Sequence, residues 1–192
     1  MQQNVDKAVD DLFQMIIDSG EADYIGENVT QLEHMCQAAE YAEEQGNDAE
    51  VILAALFHDI GHFCSEYGEK EDMGGLGHIA HDKVGADYLR NIGFPEKVAR
   101  LVESHVEAKR YLCAAKPGYF AKLSDASAQT LKFQGGPMSK DEVAKFEADP
   151  WFKDIIKLRA WDELAKVENK PLPDLNRYKE MAKNILLNKA AS

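Results

Sequence analysis

The run Leu56-Phe57-His58-Asp59-Ile60-Gly61-His62 sets an imidazole beside a carboxylate at the end of an apolar stretch that begins at Val51. A carboxylate facing an apolar core loses its hydration, a penalty of several kcal/mol unless a cation or hydrogen-bond donors replace the water. A divalent or trivalent metal ion does so. His34 upstream and Asp162 far downstream supply further ligands of the same kind, and His81 and His105 between them could complete a second metal position. Imidazole with carboxylate suits iron, manganese and zinc, whereas a thiolate-rich set would point to structural zinc or Fe–S. Cys36, Cys64 and Cys113 show no CxxC spacing and read as reduced thiols of a cytosolic protein.

Each of these residues has an ordinary alternative. A single helical histidine is more often a surface or hydrogen-bonded residue than a ligand, and joint placement is what favours metal. His34 lies between Leu32 and Met35, His58 ends the most apolar helix, and His105 follows Leu101 by four on one face. His81 opens the turn before Val84 and Ala86, while His78 could substitute for it. Asp162, taken alone, reads equally as a solvated helix charge paired with Arg159. Lys109 shares a helix face with His105; if His105 faces a metal, Lys109 offers a positive charge to an anionic ligand in the same cavity. Otherwise it is a surface lysine beside Arg110. His62 could donate a hydrogen bond to a metal-bound group or orient a carboxylate. Tyr24 and Glu27 stand three apart on the loop before His34. A phenol can bind iron and a carboxylate can meet an ammonium, although the residues alone favour plain packing at a rim.

The elements that must position these groups are helical. Apolar residues at 8, 9, 12, 13, 15, 16 and 17 predict a helix over Val5 to Ser19, closed by Gly20. Thr30-x-x-Glu33 is a capping box for a helix running to Gly46, and Asp48 can cap the next, which carries Val51 to Phe57 into the His-Asp pair. A glycine-rich loop, Met73 to Gly77, lacks the preceding strand and GK[ST] of a phosphate-binding loop. Further helices are predicted over about Ile79 to Asn91, from Pro95 as first helical residue to about Ala114, and over about Tyr119 to Phe133, Ser139 to Ala148, Pro150 to Val167 and Leu175 to Leu187. No alternating strand pattern, repeat or low-complexity linker competes, so the expectation is an all-α single domain over 1–192.

A chain of 192 residues, 45% hydrophobic, can bury a full core without staples. It has no apolar stretch of transmembrane length and no signal-peptide pattern at Met1 to Asp6, which predicts a soluble, cytoplasmic protein without a membrane partner. With 22 Lys and Arg against 34 Asp and Glu, the net charge of −12 argues against nucleic-acid binding. Attraction for an anionic substrate must then be local, from metal ions and a few aimed cations.

The order His34, His58-Asp59, Asp162 is that of the HD metal-dependent superfamily, and longer segments sharpen the likeness. Asp23-Tyr24-Ile25-Gly26-Glu27, Gln31-Leu32-Glu33-His34, Leu53 to His62, Lys83 to Arg90, His105 to Leu112, Leu123 to Ser127, Phe133 to Met138 and Arg159-Ala160-Trp161-Asp162-Glu163 resemble the HD-domain mixed-valent diiron oxygenases. Those enzymes cleave 1-hydroxy-2-aminoethylphosphonates and are relatives of myo-inositol oxygenase. The likeness covers about residues 20 to 165. Local departures are the insertion-like stretch around Glu69 to Gly77 and Thr30, which bear on the amine substituent rather than on the metal site.

The resemblance implies a helical HD-domain bundle with His34, His58, Asp59 and Asp162 on one iron and Asp59, His81 and His105 on the other. Asp59 would bridge an Fe(II)/Fe(III) pair. Tyr24 would hold an iron position until the substrate ammonium arrives, assisted by Glu27; Lys109, Ser127 and Gln134 would hold the phosphonate, with His62 nearby. O2 is the implied co-substrate, and the products are phosphate with glycine from the primary amine or glycine betaine from the trimethylated one. The substrate itself would come from an Fe/2-oxoglutarate hydroxylase. Most HD proteins are phosphohydrolases, in which metal lowers the pKa of a bound water, and His62 and Lys109 would serve such an enzyme equally well. An inert HD module that senses a ligand would have no need of the full ligand set.

Overall fold

Thr30, Asp48, Ser124 and Ser139 each accept from an amide of the helix that follows, so four helices begin at a capping side chain. A computed structural model of the chain describes residues 2–24, 26–64 and 80–190. Helix α1 (Gln2–Gly20) buries Val9, Leu12, Phe13 and Ile16, one face at three- and four-residue steps. Helix α2 (Gln31–Glu44) starts in the expected capping box: the Thr30 hydroxyl accepts from the Glu33 amide at 3.1 Å, and the Glu33 carboxylate accepts from the Thr30 amide at 2.7 Å. Gly46, just past its end, takes the left-handed φ of +69° that closes such helices. Helix α3 (Ala49–Phe57) is capped by Asp48, which accepts from the Val51 amide at 3.0 Å, and every residue from Val51 to Phe57 is buried. A helix apolar all round must lie inside.

The remaining helices are α4 (His81–Asn91), α5 (Glu96–Ala115), α6 (Asp125–Phe133), α7 (Lys140–Glu147), α8 (Phe152–Leu164) and α9 (Leu175–Ala190), with single 3₁₀ turns at Ile60–His62 and Phe120–Lys122. Helix α3 packs against α2, α5, α8 and α9, so the element ending in His58 is the centre of an all-α bundle. Among the described residues the sole extended pairing is an isolated bridge between Asp23 and Thr30. No helix among them is long and apolar enough to cross a membrane.

The first helix begins three residues before the expected Val5 and the last runs three past the expected Leu187, and other limits differ from the sequence reading for local reasons. The helix expected over Tyr119 to Phe133 is broken: Leu123 is extended (ψ 144°), and Ser124 caps α6 by accepting from the Ser127 amide. A serine that can cap competes with continued helix. The helix expected over Pro150 to Val167 is shorter at both ends, because the Asp149 carboxylate accepts from the Trp151 amide at 2.8 Å and Ala165 leaves helical geometry at ψ 51°. Pro95 sits at the cap (φ −57°, ψ 150°) rather than at the first helical position. The glycine-rich loop, His78 and the expected start at Ile79 lie outside the described residues.

One contact ties the His-Asp turn to α4. A β-carbon on Gly61 would stand 1.8 Å from the His81 carbonyl oxygen and 2.8 Å from the Gly85 nitrogen, so turn and helix meet backbone to backbone. Gly61→Ala is therefore expected to destabilise the protein by about 1–3 kcal/mol and to push His81 away from Asp59. Thermal unfolding together with metal content checks this; an unchanged melting temperature with full metal binding would show that the contact is dispensable.

Candidate metal centre

Five elements converge on Asp59. His34 comes from α2, His58 caps the end of α3, His81 is the first residue of α4, His105 lies on α5 and Asp162 on α8; all six are buried. Backbone carbonyls set three of the rings. The Nδ1–H groups of His34, His58 and His105 donate to Ala165, Ala55 and Val102 at 2.8, 2.8 and 2.7 Å, which leaves each Nε2 with a lone pair directed inward.

Those Nε2 atoms form two clusters. His34 and His58 bring theirs 2.9 Å apart, each 3.5 Å from Asp59 Oδ2, and Asp162 Oδ1 stands 3.4 and 3.8 Å from them. On the other side the His81 and His105 Nε2 atoms are 3.0 Å apart and lie 3.6 and 3.5 Å from Asp59 Oδ1. Asp59 thus turns one carboxylate oxygen to each cluster. Two neutral imidazoles facing each other with lone pairs cannot hydrogen-bond, and a cation between them removes the repulsion. Ligand atoms about 2.0–2.1 Å from an ion stand about 3 Å apart at right angles, close to both N···N spacings. The donor set therefore fits two metal ions that share Asp59. His62 stacks on His81 with centroids 4.1 Å apart and planes 18° apart, and it forms a further close group with Asp59 and His81.

Electrostatics agree with a cation-seeking site. Burial pushes the Asp59 carboxyl upward, yet the surrounding imidazoles, His58 foremost, hold it well below the usual range. Asp162 is likewise buried and is held low by the Arg159 guanidinium and by His34. Burial, reinforced by His81, pushes His105 down to about 3, so it stays neutral and able to bind metal. His34 goes the other way: burial opposes its charge, but the Asp162 carboxylate 3.4 Å from its Nε2, with Asp59 beside it, draws it upward, marking the more anionic cluster.

The centre opens on a cavity of about 80 Å³, against roughly 300–1,000 Å³ for pockets that enclose drug-sized ligands. Three carboxylates on its wall (Asp59, Asp162, Glu27) face three cations (Lys109, Arg159, Lys166), so bound metal ions would leave it positive. Lys109 is 4% exposed and donates to Thr130 Oγ1 at 2.8 Å. Burial, with the charge of Arg159, pushes its ammonium down to about 7. Two buried side-chain oxygens on the wall, Gln31 Oε1 and Gln134 Oε1, have no hydrogen-bond partner within the protein, a deficit that a ligand donor would meet. Tyr24 lies flat on His34, centroids 3.9 Å apart and planes 14° apart, and burial beside Asp162 and Asp59 raises its phenol well above the usual value.

All twelve site residues singled out in the sequence border this cavity or its metal clusters. Two ordinary readings are corrected. Asp162 does pair with Arg159, but it is buried, and its second oxygen faces His34 and His58. Lys109 is inside rather than on the surface, whereas its neighbour Arg110 turns away to Gly136 and Glu142. Glu27, read as a carboxylate awaiting an ammonium, is already paired with Lys166. Sequence reasoning passed over Gln31, Thr130 and Lys166. Gln31 precedes His34 by three and Thr130 follows Ser127 by three, so helix-face spacing was the available signal. Lys166 lies beyond the end of α8 and carried none.

The HD-domain family model matches residues 32–149, a stretch that holds five of the six clustered ligand candidates and ends before Asp162. The chain is 45% identical over 172 residues to a [1-hydroxy-2-(trimethylamino)ethyl]phosphonate dioxygenase (glycine-betaine-forming) of Leisingera caerulea, covering 87% of this chain and 84% of that protein. It is 41% identical over 170 residues to a hydroxymethylphosphonate dioxygenase of Gimesia maris, covering 88% and 84%. An uncharacterized protein of Acanthamoeba polyphaga mimivirus is 44% identical over 162 residues, covering 84% and 74%. A matched stretch of that length, together with a His-Asp pair whose carboxylate serves two imidazole clusters, leads to one conclusion: the chain belongs to the HD-domain family.

Proposed function

We propose that the chain is one HD-type domain that cleaves the C–P bond of a 1-hydroxy-2-aminoethylphosphonate, as the primary amine or its trimethylated form. O2 is the co-substrate, and the cofactor is a mixed-valent Fe(II)/Fe(III) pair. The observation that carries this reading is Asp59, whose two oxygens each face a separate pair of imidazoles at 3.5–3.6 Å. A one-metal hydrolase would need a single cluster, and two-metal hydrolysis is distinguished from oxygenation by its independence of O2. Identity to relatives named as dioxygenases of hydroxyphosphonates supports the same class. Imidazole and carboxylate without thiolate is a donor set for iron, with His34, His58, Asp59 and Asp162 for one ion and Asp59, His81 and His105 for the other.

When bound, the iron pair supplies O2 activation and a seat for the 1-hydroxyl and a phosphonate oxygen. The protein does the rest. Lys109 meets the phosphonate as a charge-assisted donor, with the Ser127 hydroxyl and the Gln134 amide on the same wall. Tyr24 and Glu27 border the end of the cavity assigned to the C2 substituent, where Tyr24 gives way to its cation and Glu27 pairs with it, and His62 orients groups beside His81. The reaction balances with O2 as oxidant: the C1–H and C–P bonds break, one oxygen atom passes to carbon and the other to phosphorus. Phosphate leaves with glycine or glycine betaine. The 1-hydroxyl implies a preceding hydroxylation, of the iron and 2-oxoglutarate class. Three free thiols fit a reducing, cytoplasmic compartment.

Phosphate release from these substrates is expected only when O2 is present, with labelled oxygen from O2 in the products. Protein from iron-replete cells should hold about two irons per chain, with a half-integer-spin signal after partial oxidation, given two imidazole–carboxylate clusters. Phosphate release at full rate without O2, or full activity with a single zinc, would replace this reading by hydrolysis.

A further inference from the structure

One wall of the cavity is an ion pair. Lys166 Nζ contacts the Glu27 carboxylate, lies 3.4 Å from Ser124 Oγ and stands 5.8 Å from the centroid of the Tyr24 ring. Its backbone is held on both sides by α2. The Ala165 carbonyl accepts from His34 Nδ1–H at 2.8 Å, while Val167 exchanges two hydrogen bonds with the Gln37 side chain, both at 2.9 Å. A lysine side chain is ordinarily free to wander; tethering both neighbours aims this one at Glu27. On the far side of the pair is a second hollow of about 230 Å³, bordered by Lys122 and by the same Glu27, Ser124 and Lys166. The pair is thus a partition between that hollow and the inner cavity.

We propose that Lys166 determines specificity: its ammonium occupies the place on Glu27 and Tyr24 that a cationic C2 substituent would take, so a substrate with such a group must displace it. This rests on the hydroxyphosphonate reading above. Two cations cannot share one partly buried carboxylate without repulsion, and an aromatic face suits an ammonium from either source. A ligand with a cation therefore binds against the Lys166–Glu27 pair, whereas a hydroxyphosphonate without one leaves Lys166 seated, a discrimination by competition rather than by fit. The outer hollow is where the displaced ammonium goes.

Tetramethylammonium alone, titrated calorimetrically into the metal-loaded protein at fixed ionic strength, reads the exchange without phosphonate chemistry. Lys166→Met is expected to bind it up to about fivefold tighter than wild type, as removal of a competing charge predicts. Lys166→Arg should bind as wild type does, and the double variant Lys166→Met, Glu27→Gln should lose the gain. Under nitrogen, Lys166→Met should also tighten the trimethylated hydroxyphosphonate while leaving hydroxymethylphosphonate unchanged or weaker. Equal tetramethylammonium binding by wild type and Lys166→Met, or a gain that survives the loss of Glu27, overturns the proposal. If no hydroxyphosphonate binds but the Glu27-dependent gain is present, the substrate reading fails and the assignment of Lys166 stands.

Discussion

Exchanging Asp59 for asparagine is expected to lower iron from about two per chain to less than one and to cut O2-dependent phosphate release by more than about a thousandfold, since even outer partners of a metal site are worth about 10–100-fold. The reason is geometric. Asp59 Oδ2 stands 3.5 Å from the His34 and His58 nitrogens and Oδ1 stands 3.6 and 3.5 Å from those of His81 and His105, so one side chain serves both clusters. An amide of the same shape keeps a single acceptor oxygen and no negative charge. His105→Ala makes the contrast: it leaves His34, His58, Asp59 and Asp162 together and should lose one iron while keeping the other. Iron measured per folded chain, with circular dichroism to confirm the fold, separates the two outcomes. Full occupancy in the Asp59→Asn protein would mean that the two clusters do not share a ligand.

Lys109→Met is expected to raise the KM for a hydroxyphosphonate about ten- to a hundredfold, the range for one charge-assisted hydrogen bond of about 1.5–3 kcal/mol. A chain of charge −12 has no long-range field to compensate. The same variant should be more stable than wild type when substrate is absent. Burial pushes Lys109 down to about 7, below its unfolded value near 10.4, so between those values the unfolded chain binds more protons and stability rises with pH. Below about pH 7 the whole cost of the buried charge is present, and above the unfolded value it is gone. The advantage of Lys109→Met should therefore be largest at pH 6 and fade by pH 10, read from denaturation midpoints. A variant less stable than wild type at pH 6, or one with unchanged KM, would show that Lys109 is a packing residue.

The sequence by itself determined what depends on neighbours three or four residues apart. Thr30 with Glu33 and Asp48 before Val51 announce two helix starts because a side chain satisfies amides within the same turn. The unbroken apolar run from Val51 to Phe57 places α3 at the centre and so requires His58 and Asp59 to be buried. His105 and Lys109 share a face because four residues make about one turn. Where a local rule had a local competitor, it failed: Ser124 could cap, and the helix expected to run through it breaks there.

Tertiary structure alone decided what depends on residues far apart in the chain. That Asp59 sends its two oxygens to different clusters follows from α4 being pressed against Gly61 on one side while α2 and α8 close on the other. That Asp162 is buried, with one oxygen on Arg159 and one toward His34, depends on α8 packing against α2, which its own helix pattern does not state. The capture of Glu27 by Lys166, 139 residues away, required Ala165 and Val167 to be tied to α2. Helical periodicity fixes which residues share a face; which faces meet is set by the packing of the whole core, and the pairing of charges follows from it.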